Sequence, residues 1–279
     1  NTSGSSERVD FALTSGHNTE DSQAYSDLTV SGVTDQSVDI YTADKVTVRL
    51  ADPSGAADVM NVNLRSLLGD RSAAQTVTAI DVADTTETLN LNATGMKTGI
   101  GALGIQKTVT TLTSDSSLTT LNISGSDKLT IGTLTASKLA TINASTATGD
   151  ISLPGTGSLA QTITMGSGND TLVMAGNLTA ADVIDMGGNS VAVASTGALG
   201  FDTITTTGNL GSTVAAMAPQ ISNADAVTIT GTANFIDGSS LTNVSSLAFA
   251  NASGATTLTN MPAGLAISLG VAAAESTHT

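Results

Sequence analysis

The sequence contains no cysteine and no tryptophan, and aromatic residues make up only 2% of its 279 residues. Without cysteine, disulfide bonds cannot brace the fold, and thiol catalysis is excluded. The scarcity of aromatic rings also removes the platforms on which sugar-binding sites commonly depend. A core must be built from Leu, Ile, Val and Ala, whose small side chains suit thin, repetitive layers better than a thick globular interior.

Positive charge is missing from half of the chain. Charged residues make up 12% of the sequence, and the formal net charge is −15. Every Lys and Arg lies at or before Lys138, whereas residues 139–279 hold seven Asp and one Glu. Nucleic acid and anionic membranes are therefore poor partners, and a bound divalent cation would relieve self-repulsion in the C-terminal half.

Long apolar runs are also absent. No stretch is long and apolar enough for a transmembrane helix, so the sequence predicts no transmembrane segment. No signal peptide is visible after Asn1. Because the first residue is not Met, we expect the chain to be a processed piece of a larger protein.

Hydroxylic residues and aspartate are abundant. The chain has 46 Thr and 32 Ser, and its acidic residues are 20 Asp against 4 Glu. β-Branched Thr, Val and Ile favour strands, whereas Asp in place of Glu is typical of turns and calcium loops. The composition therefore predicts strands and turns with little helix.

Short apolar segments recur along the chain at intervals of mostly 8 to 12 residues, with Gly, Ser, Asn or Asp between them. Clear examples are Leu121–Ile123, Leu129–Ile131, Ile151–Leu153 and Leu172–Met174. A β-sandwich gives similar spacing, so periodicity alone leaves both architectures open. The ladder-like turn at 118–125, restated at 139–145, favours the solenoid. We predict an all-β fold of parallel β-solenoid or β-roll coils, with a less regular β-rich N-terminal portion.

The distribution of polar and apolar segments along the chain predicts three regions. Residues 1–25 are polar and are interpreted as a linker or mobile end. Residues 26–110 are predicted to form a β-rich N-terminal lobe, and residues 111–279 a β-solenoid that carries calcium-binding turns.

The sharpest motif is Met165–Val173, which fits the nonapeptide G-G-x-G-x-D-x-U-x at every fixed position except the first. That repeat is the calcium-binding turn of a parallel β-roll. Gly166 and Gly168 allow a tight turn with inward carbonyl oxygens, Asp170 supplies a hard anionic oxygen, and Asn169 lies between them. An ordinary Gly-rich turn is the structural alternative.

A second acidic turn, 180–189, follows about one coil later and adds Asp182 and Asp185. Since calcium draws oxygen ligands from neighbouring turns, the predicted metal-binding residues are those of both turns. They are Asp170, Asp185, Asp182, Gly166, Gly168 and Asn169. Asp182 either coordinates calcium or caps its turn. Asp58, Asp202 and Asp237 are interpreted as solvated turn residues.

Catalytic motifs are lacking. The two histidines, His17 and His278, lie in polar tails, and no His-Glu-x-x-His pattern occurs. Zinc-protease and Cys-His chemistry are excluded, and paired-carboxylate hydrolysis lacks aromatic sugar platforms. The sequence therefore predicts a protein that is not an enzyme.

The motif at 163–190, with the Thr/Ala-rich ladders around it, resembles the repeats-in-toxin class of secreted bacterial calcium proteins. In style it is most similar to bacterial surface-layer proteins of the Caulobacter type, across about residues 50–260. The resemblance implies export to the cell surface, Ca²⁺ as a folding cofactor and self-association into a lattice. Cell-surface polysaccharide is a further expected partner, through segments outside this chain. The alternative is a secreted calcium-binding adhesin or biofilm-matrix protein.

Overall fold

The computed structural model describes residues 28–33, 37–40, 43–50, 57–65, 75–82, 86–94, 105–114, 116–155, 159–188, 201–207, 210, 219–231, 235–250 and 257–269. These residues form strands throughout, with a short 3-10 helix at Gly238–Ser240 and no α-helix among them. The prediction of an all-β fold is confirmed.

The described strands are numbered in chain order. They are β1 (Leu28–Val33), β2 (Ser37–Ile40), β3 (Ala43–Leu50), β4 (Val59–Leu64), β5 (Gln75–Val82), β6 (Thr88–Asn92), β7 (Gln106–Ser114), β8 (Thr120–Gly125), β9 (Lys128–Ala136), β10 (Thr141–Ala147), β11 (Ile151–Pro154), β12 (Thr162–Thr164), β13 (Thr171–Ala175), β14 (Val183–Asp185), β15 (Thr203–Thr206), β16 (Gln220–Ser222), β17 (Ala226–Ile229), β18 (Phe235–Asp237), β19 (Leu241–Thr242), β20 (Ser246–Phe249), β21 (Thr257–Thr259) and β22 (Ala266–Leu269).

Successive strands alternate between two long parallel sheets. Sheet A has the order β1-β3-β5-β7-β9-β11-β13-β15-β17-β20-β22, and sheet B runs from β2 through β4, β6, β8, β10, β12, β14 and β16 to β19. Strands β18 and β21 form a separate parallel pair. As far as β20, each coil of the chain thus adds one strand to each sheet, which is the arrangement of a β-solenoid.

The core is a set of aligned apolar columns between the sheets. In sheet B, Leu89 pairs with Leu121, which pairs with Ile142, then Ile163 and Ile184, and each is at most 1% exposed. Period-two alternation turns these residues inward and their polar neighbours outward. Burying one such side chain stabilises the fold by about 1.5–3 kcal/mol, so a thin core built mainly from aliphatic side chains suffices when it is repeated.

The described N-terminal strands belong to the same two sheets. β1 pairs with β3 and β2 with β4, both in parallel. The predicted boundary between residues 110 and 111 falls inside β7, which pairs with β5 on one side and β9 on the other. Residues 1–25 lie outside the described residues, and the division into regions stays a prediction.

The outer surface of sheet B carries two polar columns across β4, β6, β8, β10 and β12. The first is a threonine column, formed by Thr88, Thr120, Thr141 and Thr162. The second is an asparagine column, formed by Asn61, Asn90, Asn122 and Asn143. We call the outward surface of these five strands the Thr/Asn face.

Within the described residues, no helix is both long and apolar enough to cross a membrane.

Candidate functional site: a ladder of buried carboxylates

Four successive strands of sheet A begin just after an aspartate. Asp150 and Asp225 immediately precede β11 and β17, and Asp170 and Asp202 immediately precede β13 and β15. The parallel register places Thr171 beside Thr203 and Thr203 beside Ala226, so Asp170, Asp202 and Asp225 lie one above another along the corner. Ser152 pairs with Thr171, so Asp150 is level with Asn169, one residue away from this column. We call these four residues the aspartate ladder.

The ladder caps backbone amides from one coil to the next. Asp170 Oδ1 accepts a hydrogen bond from the backbone N–H of Ile151 at 2.8 Å. Asp202 Oδ1 accepts from the N–H of Asp170 at 2.8 Å, and Asp225 Oδ2 from that of Asp202 at 3.0 Å. Backbone amides at a buried corner must find acceptors, and here a carboxylate of the following coil supplies each one.

Burial disfavours the ionised form of two ladder carboxylates, those of Asp170 and Asp202. Asp170 is fully buried and Asp202 is 1% exposed. Burial raises the pKa of Asp170 to about 6, against the hydrogen bonds from Ile151 and Gly166, which lower it. Burial likewise raises the pKa of Asp202 to about 7, and repulsion from the Asp170, Asp225 and Asp150 charges adds to the rise. Near neutral pH, a bound proton or a nearby cation would therefore stabilise the carboxyl groups of Asp170 and Asp202.

One oxygen of the ladder has no hydrogen-bond partner among the described residues. Asp202 Oδ2 is buried and accepts no hydrogen bond. The sequence contains no Lys or Arg beyond Lys138 that could face it. A buried anionic oxygen without a partner is costly, and it is the kind of hard donor that calcium prefers. On this observation the donor chemistry of the ladder fits a divalent cation.

The predicted calcium turn lies against this ladder. Asp170 Oδ2 accepts from the N–H of Gly166 at 3.1 Å, and Asp150 Oδ1 accepts from the N–H of Asn169 at 2.9 Å. Gly168 is required by close approach, since a Cβ atom there would lie 2.4 Å from the carbonyl oxygen of Gly149 in the preceding coil. The turn is thus held against the preceding coil.

Met165 explains the one departure from the nonapeptide. Its side chain is 1% exposed and belongs to the apolar core, while its backbone N–H donates to the carbonyl oxygen of Asp185 at 2.8 Å. A glycine at this position would leave a gap in the core.

The other two predicted aspartates lie elsewhere. Asp182 is fully buried before β14 of sheet B, where Oδ1 accepts from the N–H of Gln161 at 2.7 Å and Oδ2 from that of Thr179 at 2.6 Å. The structure therefore shows Asp182 capping its turn. Asp185 Oδ1 accepts from Asn223 Nδ2 at 2.7 Å. Among the described residues, neither aspartate shares a hydrogen-bond partner with Asp170.

Sequence reasoning missed most of the ladder. Asp150 and Asp225 were not among the predicted site residues. The interpretation of Asp202 and Asp237 as solvated is wrong, because they are 1% and 2% exposed. Asp237 caps the 3-10 helix, and the N–H of Ser239 lowers its pKa. The available signal was an Asp set directly before an apolar strand and recurring about one coil later.

A second buried charge cluster links β5 and β7 of sheet A with the turn before β9. Lys107 in β7 is 1% exposed, and its Nζ lies 3.8 Å from Asp127 Oδ2 and donates a hydrogen bond to Gln75 Oε1. Burial lowers the pKa of Lys107 to about 8, although the Asp127 charge opposes that change.

Within the described part of the chain, no group of three or more His, Cys, Asp or Glu side chains converges closely enough to hold a metal ion. A cation at the ladder would therefore take much of its coordination from backbone carbonyl oxygens and the Asn169 side chain. His17 and His278 lie outside the described residues. No protein-family model, curated protein or solved structure matches this chain.

Proposed function

We propose that this chain is a structural, non-catalytic segment of a secreted, calcium-dependent surface-layer protein, which assembles with copies of itself at the cell surface. The observation that carries the proposal is the aspartate ladder at the corner of a repetitive parallel solenoid. Buried carboxylates there lack any basic counter-charge from their own half of the sequence.

Calcium in this proposal is held at the turn of residues 166–170. Asp170 and Asp202 would contribute carboxylate oxygens, and Gly166, Gly168 and Asn169 would contribute carbonyl or amide oxygens. The ion would supply positive charge at a corner where the carboxylates otherwise repel one another. Its binding would therefore be coupled to folding of the coils. Asp182 and Asp185 would then stabilise neighbouring turns through their hydrogen bonds to Gln161, Thr179 and Asn223.

The repetitive architecture supports the self-assembly part of the proposal. The strands at the two ends of sheet A, β1 and β22, each pair with one described strand only. Open sheet edges and long uniform sides invite contact with further copies. Exposed Ile267 and Leu269 on β22, at 43% and 65%, continue columns whose preceding members, Leu247 and Phe249, are buried.

A calcium titration followed by circular dichroism and light scattering tests this function. We expect calcium to order the coils and then to raise light scattering, and Asp170→Ala to weaken both effects. Asp81→Ala, a half-buried aspartate on β5 away from the ladder, is the control. A folded monomer that shows no response to calcium at any protein concentration would contradict the proposal. Monomers that bind a foreign glycan instead would favour the adhesin.

A further inference from the structure

The Thr/Asn face is free of charge in a chain of net charge −15. Every outward side chain of β4, β6, β8, β10 and β12 is Thr, Asn, Ser or Val. Acidic residues lie at the margins of the face: Asp58 and Glu87 immediately precede β4 and β6, and Asp39 and Asp185 occur in the flanking strands β2 and β14. We propose that the Thr/Asn face is a contact surface between two copies of this chain, packed sheet against sheet about a twofold axis. The proposal rests on the self-assembly proposed above and names the surface through which it proceeds.

The absence of charge on the Thr/Asn face favours a second copy of the chain as its partner. Two copies that each carry −15 repel one another, and contact requires a surface where carboxylates do not meet. The Thr/Asn face meets this requirement across five neighbouring strands. A basic partner would instead find its complement at the acidic residues that flank this face.

The regular spacing of the side chains on the Thr/Asn face also favours a second copy as the partner. Neighbouring strands lie about 4.8 Å apart, and alternate residues along a strand are about 6.7 Å apart, so the two columns form a regular grid. A second copy carries the same grid, and a twofold arrangement brings equal spacings into register across the interface. Matching sheets with asparagine ladders and small side chains pack in this way in steric zippers.

Amides of the asparagine column already have hydrogen-bond partners within the column. Asn90 Nδ2 donates to Asn61 Oδ1 at 2.8 Å, and Asn122 Nδ2 donates to Asn90 Oδ1 at 2.8 Å. These amides keep hydrogen bonds along the column when a second sheet covers them, which lowers the desolvation cost. The threonines are β-branched and restricted at χ1, so ordering them costs little entropy while their methyl groups supply contact.

The area of the face sets the strength of the contact. Five strands of about five residues cover roughly 24 Å by 15 Å, so a pair would bury roughly 700 Å² in total. Stable interfaces bury about 1,200 Å² or more, and a single pair is therefore weak. Repetition across many copies would make such contacts effective.

The absence of native cysteine allows a direct test. Thr120→Cys and Thr141→Cys each place one thiol near the centre of the face, and the full chain with calcium is treated with a short bismaleimide. Thr110→Cys, at an exposed position of β7 in sheet A, is the matched control. We expect at least fivefold more covalent dimer from the face variants than from the control. Equal yields would overturn the inference.

A second pair of variants tests the charge argument. Thr120→Glu with Thr141→Glu puts like charges on directly paired positions of the face. Thr111→Glu with Thr133→Glu does the same on sheet A. Circular dichroism should show that both variants remain folded. Sedimentation should then show that the association constant of the face variant is at least fivefold lower than that of the unmodified chain, whereas the sheet A variant is unchanged. If both variants assemble like the unmodified chain, the inference fails while self-assembly stands. If the unmodified chain never assembles, both proposals fail.

Discussion

At the scale of single residues, the aspartates act as acceptors for backbone amides. Asp170, Asp182 and Asp202 are buried, and each accepts at least one backbone hydrogen bond at the start of a strand. The geometry suits Asp better than Glu at these three positions, since a short carboxylate reaches the neighbouring coil without a flexible stem. Accepting an amide requires an oxygen and does not require a charge.

Substitutions of Asp202 can test its role as a hydrogen-bond acceptor separately from its charge. At pH 8 with chelator, we expect Asp202→Asn to be at least as stable as the unmodified chain, because it keeps an acceptor for the Asp170 amide and removes repulsion. Asp202→Ala should lose about 1–3 kcal/mol, since a buried N–H is left unsatisfied. Urea denaturation measures both, and equal stabilities of the two variants would contradict the capping role.

At the scale of elements, turns are limited by how closely coils approach. A Cβ atom at Gly168 would meet a backbone oxygen at 2.4 Å, whereas one at Gly188 would meet nothing within 4 Å. Gly168→Ala should therefore destabilise the chain by about 1–3 kcal/mol, because backbone must move to relieve the overlap. Gly188→Ala is the control and should be near neutral in thermal denaturation. A destabilised control with an unaffected Gly168 variant would reverse this assignment.

The ion pair of Lys107 and Asp127 connects the turn before β9 to β7. Replacing only the lysine, as in Lys107→Met, leaves a buried carboxylate without its cation and should cost about 3–5 kcal/mol. Replacing both groups, as in Lys107→Met with Asp127→Asn, should recover much of that loss, because no uncompensated charge remains. A double-mutant cycle in urea measures the coupling, and additive losses would show that the pair is not coupled.

At the scale of the whole molecule, stability should depend on pH through the ladder. The pKa values of Asp170 and Asp202 rise from 3.8 to about 6 and about 7 on folding. A carboxyl whose pKa is raised contributes stability that is complete below pH 3.8 and is lost as pH rises through the folded value. In the presence of chelator, the urea concentration at the midpoint of unfolding should therefore decrease as the pH rises from 5 to 8.

The Asp202→Asn variant is the control for that pH dependence. Its midpoint should vary less over the same interval, because one of the two titrating groups is gone. A midpoint that rises from pH 5 to pH 8 in the unmodified chain would contradict the assignment of raised pKa values to the ladder.

The sequence alone determined the fold class, because hydrophobic alternation and turn spacing are local properties of the chain. Inward residues such as Leu121, Ile163 and Leu172 follow directly from period two, and all are buried. Gly166, Gly168 and Asp170 are recognisable because their spacing lies within one turn. Calcium binding and lattice formation remain proposals.

Only the tertiary structure decided which residues share a corner. Asp170 and Asp202 are separated by 32 residues along the chain, and their contact depends on the lengths of the intervening coils. Those lengths vary, as Ile163 to Ile184 spans one coil and the longer segment from Ile184 to Ile221 spans the next. Stacking order and register are long-range properties, and burial shifts the pKa of a carboxyl only once neighbouring coils exclude water from it.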